Sequence, residues 1–179
     1  MVEMEPQELR AKELYCRYLG HLPAMHRGGV LAEYQSYGVS EEQEQEWLQN
    51  IMNTCFGQLS IRDWEAVSSL ADLSVSCTNN LIVEKTAAFA ARNIASGDSV
   101  VRLMYAERLV EIIRLHKQLL PREQLFDACR TAVQVLEGVI SQPLILDPGH
   151  ELKQLVLRDK RALNLRAAAS LETIKLLIN

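Results

Sequence analysis

Apolar residues recur every third or fourth position along nearly the whole chain, with polar residues between them, which is the period of an amphipathic helix. The first such stripe, Ala11, Leu14, Tyr15, Tyr18 and Leu22, predicts a helix from Pro6 to about Leu19, with proline in the first turn where its missing N–H costs nothing. Gly20 and Pro23 break the stripe, and a shorter helix is expected from about Gly29 to Tyr37, closed by Gly38. Ser40 and Gln43 have capping-box spacing for a third helix carrying Leu48, Ile51, Met52, Cys55, Phe56 and Leu59. Ser60 and Asp63 suggest a fourth start, with Trp64, Val67 and Leu70 facing inward and the helix continuing to about Cys77.

The Thr78-Asn79-Asn80 cluster is a turn, after which a fifth helix reaches about Ser96. Its small residues, Ala87, Ala88, Ala90 and Ala91, mark it as a central helix that neighbours approach closely. Asp98 or Ser99 caps a sixth helix whose polar face, Glu107, Glu111, Arg114 and Gln118, opposes Tyr105, Leu109, Ile112 and Leu119. Pro121 opens a seventh, in which Phe126, Cys129, Val133, Leu136 and Ile140 repeat cleanly. Pro143 to Asp147 reads as an extended connector, and Asp147-Pro148 as the cap of a C-terminal helical region. There Leu152, Val156, Leu163, Ala167, Leu171, Ile174 and Ile178 share a face that lapses at Arg158-Asp159-Lys160-Arg161, so a single kinked helix and two consecutive helices both fit.

The expected fold is therefore all-α: one antiparallel bundle of about seven to nine helices spanning 1–179, with 1–38 as a peripheral helical hairpin and a long or kinked C-terminal helix. Composition agrees. Leu and Ala total 44 residues against 23 for Val and Ile, a bias toward residues that lose little freedom in a helix. The hydrophobic share of 48% is enough for a core and argues against disorder. The charged start of the chain does not resemble a secretory signal, no apolar run reaches membrane-spanning length, and the four cysteines form no CxxC pair. These features point to a cytoplasmic protein with no membrane contact.

Net charge is −4, and residues 1–60 hold nine acids against four bases. That balance makes nucleic acid a poor partner, since phosphate contacts need Lys and Arg. The stretch 70–87 has helix-turn-helix spacing, but its second half offers only Lys85 as a base. Phosphate-loop, dinucleotide, nucleophile-elbow and kinase signatures are absent. His150-Glu151 begins like a zinc-protease helix, but Gln154 stands where the second imidazole is required. Glu107 and Glu111 lie one turn apart without the Glu-x-x-His partners of a di-metal bundle. No cofactor or metal is implied.

Three surface constellations remain. His21, His26 and Arg27 beside the Gly28-Gly29 pair, walled by Tyr15, Tyr18 and Tyr34, would suit an anion or small ligand on an irregular loop. Lys153, Arg158, Lys160, Arg161 and Arg166 would form a basic interaction ridge. Glu41, Glu42, Glu44 and Glu46 serve the positive end of a helix dipole and would also form an acidic docking patch. Leu176, Leu177 and Ile178 make the last helix apolar at its end, so docking into the core or pairing into a homodimer is expected there. The expectation is a non-enzymatic adaptor, regulator or inhibitor that presents helix faces to another protein, with a ligand-binding domain centred on the His21–Arg27 loop as the alternative.

Overall fold

The computed structural model describes residues 5–179; residues 1–4, the start of the charged N-terminal stretch, lie outside the described residues. Among the described residues nine α-helices follow one another: α1 (Pro6–Tyr18), α2 (Leu22–Arg27), α3 (Leu31–Ser36), α4 (Glu41–Gln58), α5 (Glu65–Leu73), α6 (Asn80–Asn93), α7 (Ser99–His116), α8 (Arg122–Ser141) and α9 (Lys160–Ile178). Single 3-10 turns occupy Ile94–Ser96 and Leu152–Leu155, and no strand occurs among the described residues. The chain is an all-helical domain. No helix among the described residues is long and apolar enough to cross a membrane.

The bundle is organised around α7. Val100, Val101, Leu103, Met104, Tyr105, Ala106, Leu109, Val110, Ile112 and Ile113 are all buried, so this helix is covered around nearly its full circumference. α5, α6, α8 and α9 pack against it. The expected central helix, α6, instead lies at the side. A central helix needs bulk on every face to remove apolar area from water, and α6 places alanines where α7 places Leu, Ile and Tyr. Leu119, expected inside, is 56% exposed because α7 ends at His116 and the chain turns so that Leu120 is buried instead.

A second, smaller core joins α1, α2, α3 and the start of α4 through Ala11, Leu14, Tyr15, Met25, Tyr34 and Trp47. The rings of Tyr15 and Trp47 lie 5.6 Å apart, and those of Tyr15 and Tyr34 lie 6.3 Å apart, both tilted. Arg10 clamps Glu33 through Nε at 2.7 Å, and Tyr37 donates to the same carboxylate at 3.0 Å. These contacts hold 6–37 against α4.

Several boundaries differ from the sequence expectation for identifiable reasons. The stretch after Gly20 is helical, because His21 caps α2 by accepting the Ala24 N–H at its Nδ1, 3.1 Å away. α3 is the short helix expected from about Gly29, α2 is an additional one in the stretch read as a break, and the turn between them falls at Gly29, where φ is +74°. Ser60 and Asp63 spend their side chains on turn bonds to the N–H groups of Arg62 and Glu65, so α5 begins only at Glu65, and it stops at Leu73 rather than Cys77. Asp147-Pro148 does not start a helix. α9 begins at Lys160, where Asp159 caps Ala162 N–H at 2.9 Å. Val156, placed on the shared face by its spacing, sits in the left-handed region at φ +58° and is 92% exposed.

His116 is fully buried at the end of α7. Its Nδ1 lies 2.8 Å from the Ile112 carbonyl, and its Nε2 accepts the Asn79 N–H at 3.0 Å, which fixes the Nδ1-protonated tautomer and ties the start of α6 to the end of α7. His116→Leu leaves that N–H without a partner and should lower stability by about 2 kcal/mol in urea denaturation. A loss below about 0.5 kcal/mol would mean this bond contributes little net stability.

Candidate functional site

Of the expected N-terminal ligand groups, Tyr18 and His21 line one hollow of about 330 Å³ together with Arg17 and Asp72, and Tyr15, His26, Arg27 and Tyr34 are not part of it. Tyr15 and Tyr34 are buried in the small core, and burial pushes the Tyr15 hydroxyl up to about 12. Burial, then the Glu44 carboxylate 2.5 Å away, raises the Tyr34 hydroxyl further. Tyr18 packs so closely on Gly28 that a Cβ there would collide with its hydroxyl. His21 is occupied as a cap, while His26 and Arg27 are exposed on α2. Glu44 of the acidic run faces Tyr34, and Glu41, Glu42 and Glu46 are exposed at the start of α4.

The five basic residues likewise divide. Arg166 makes a two-pronged contact with Glu107 at 2.6 and 2.8 Å, which raises its pKa. Lys160 reaches the Val139 and Ile140 carbonyls and Asn164 Oδ1, placing a cation on the negative end of the α8 dipole. Lys153 pairs with Glu151 at 2.8 Å. Arg158 and Arg161 are exposed, on the loop before α9 and in its first turn. Two of the five cations are thus structural, tying α9 to α7 and to α8. Glu107, read in the sequence as a solvated acid, is the partner of one of them.

A polar cluster that sequence spacing did not reveal lies at the start of α7. Asp98 accepts Val101 N–H at 2.8 Å as the helix cap, and its other oxygen accepts Asp147 N–H at 2.9 Å and meets His150 Nδ1 at 2.6 Å. Ser99 bonds Ile145 through both its N–H and its hydroxyl, each at 2.9 Å, and buried Arg102 holds Gln142. Residues 142–150 are thereby strapped across the end of α7. The indole of Trp64 lies 5.6 Å from the His150 ring.

Asp98, Asp147 and His150 bring three metal-ligand groups within 4.8 Å. Two ligands of a tetrahedral zinc stand roughly 3.3 Å apart, given bonds of 2.0–2.1 Å. The 2.6 Å separation of Asp98 and His150 is that of a direct hydrogen bond, shorter than two ligands of one such ion stand apart. All four cysteine thiols, Cys16, Cys55, Cys77 and Cys129, have pKa values raised by burial, which keeps them protonated and weakly nucleophilic.

A well-formed concavity lies between α6 and α8. Val83, Ala87, Ala88 and Ala91 from α6, with Ala128 and Thr131 from α8, floor a hollow of about 420 Å³ rimmed by Glu84, Glu123, Gln124 and Asp127. A second hollow of about 130 Å³ shares Ala91 and Thr131 with it and continues past Ala95, Val135 and Gly138 to Gln142. The lining residues rise in number together along both helices, so α6 and α8 run parallel and the two hollows form one trough. Its span from Val83 to Ala95 is about 18 Å at 1.5 Å per residue. No Lys, Arg or His lines the larger hollow. The alanine run was the visible signal for this site, but its small size was read as room for neighbours inside the fold.

Comparison with protein-family models, with curated proteins and with solved structures finds no match for this chain.

The Asp98 cluster makes a pH prediction. Burial alone would push its carboxyl up, but the bonds from Val101, Asp147 and His150 outweigh burial and hold its pKa below the ordinary aspartate value. A group whose folded pKa is depressed stabilises the fold above its unfolded pKa, about 3.9, and loses that contribution as pH falls through the folded value. Asp98→Asn should therefore be less stable by about 1–2 kcal/mol near neutrality, with the two stability curves converging as pH falls through the depressed folded pKa of Asp98. Parallel curves across the acid range in chemical denaturation would contradict this assignment.

Proposed function

We propose that this chain is a helical protein–protein interaction module, an adaptor, regulator or inhibitor, that works by docking another protein in the α6–α8 trough. The observation that carries this reading is the trough itself: two adjoining, largely apolar hollows that share Ala91 and Thr131, open to solvent, with three carboxylates on the rim of the larger. An apolar floor bordered by like-signed charge orients and steers a partner of opposite charge. The titratable groups elsewhere support the same reading. His116, Asp98, His150, Arg102, Lys160 and Arg166 are each engaged in bonds that hold helix ends or neighbouring segments together.

A photo-crosslinking residue placed at Ala88 tests this in a lysate of the source cells. It should give discrete protein adducts that the same residue at exposed Gln49, on α4, does not give. The absence of adducts at Ala88, or an identical pattern from both positions, would overturn the docking reading.

A further inference from the structure

Resting on that reading, we infer that the occupant of the trough is an amphipathic helix of about three turns carrying Lys or Arg at one end. Three features of the trough select it.

Shape comes first. The trough runs between two parallel helices, and its floor is mostly alanine and glycine, with Val83, Thr131 and Val135 standing among them, so side-chain height is low. Helix axes approach to the near end of the 8–10 Å range where contact side chains are small, so a third helix can settle deeply between α6 and α8. The available length of about 18 Å corresponds to roughly twelve helical residues.

Backbone chemistry comes second. Within α6 and α8 the peptide groups are committed to their own helices, so the trough presents no free row of donors and acceptors such as a sheet edge presents. An extended peptide lying there would bury N–H and C=O groups without partners, whereas a helix satisfies its own.

Charge comes third. Glu84, Glu123 and Asp127 stand at the end nearest the starts of α6 and α8, with no base among the residues lining that hollow. At the far end Gln134 and Gln142 replace the acids, and the guanidinium of Arg102 is held by Gln142. The lining charge is therefore acidic at one end, with the Arg102 guanidinium the charged group at the other, and a partner helix matches it with cations over the acids and neutral polar residues in the other half.

The probe is a fluorescent 16-residue helical peptide with Leu and Ala at i, i+3, i+4 and i+7, Lys flanking that stripe in one half and Gln in the other. Two controls replace each Lys by Glu, or scramble the order to abolish the stripe. Fluorescence anisotropy should show saturable binding of the basic peptide to the full chain, with both controls at least about tenfold weaker, or about 1.4 kcal/mol. Ala88→Arg, which fills the trough, and the pair Glu123→Lys with Asp127→Lys should each weaken the basic peptide by a similar factor while circular dichroism stays unchanged. Since Ala88 is only half-buried, its substitution is not expected to unfold the chain, and the charge pair on the exposed rim gives a second, independent route.

Failure of the basic peptide to bind, equal binding of the controls, or binding untouched by all these variants overturns the inference. Where Ala88 crosslinks to a protein but the basic peptide does not bind, the docking face stands and the helix named here is wrong. Where Ala88 gives no adducts either, both readings fall together.

Discussion

Burying α7 on nearly every side is the constraint from which the rest of this structure follows. Each large apolar side chain removed from water contributes about 1.5–3 kcal/mol, and α7 supplies half of the largest fully buried ones in the main core, more than any other helix. Enclosing a helix to this extent also encloses its ends, where backbone groups lack partners along the helix. The chain meets both ends with side chains. Asp98 caps the first turn from a buried position and is held there by His150 and the strap 142–150, while His116 closes the last turn and joins it to α6.

The same constraint shapes the surface. With α7 taking the bulk, its neighbours α6 and α8 need only small residues where they flank one another, and the alanines left facing outward make a trough instead of a ridge. Charge is redistributed in parallel. Arg102, Lys160 and Arg166 are turned inward onto carbonyl, amide and carboxylate oxygens, so three cations counted in the sequence do not serve the surface as free charge. The exposed acids at the start of α4 and on the trough rim are left prominent, which suits association with cationic partners.

Much of the fold was legible because its signals are local. The Ser40–Gln43 capping box, the Gly38 stop, the Asp98 cap and the clean stripe of α8 depend on residues within one or two turns of each other, and all occur as expected. The expectations that differed involve competition between local signals or contacts distant in sequence. Ser60 and Asp63 can cap a helix or close a turn, and the turn prevailed. Asp98 and His150 are separated by 52 residues, so no spacing rule brings them together, and Arg166 meets Glu107 across 59. The alanines of α6 show the limit of composition most clearly: a small side chain states that something comes close, not whether that neighbour belongs to the same chain.

Native-state amide hydrogen exchange tests the central role of α7 most directly, since amides in the most deeply enclosed element exchange only through global opening. The account predicts that residues from Val101 to Ile113 are the slowest in the protein, with α1 to α3 opening at lower free energy and α6 intermediate. Slowest exchange in α6, with α7 opening ahead of it, would contradict the arrangement on which the trough and its docking role depend.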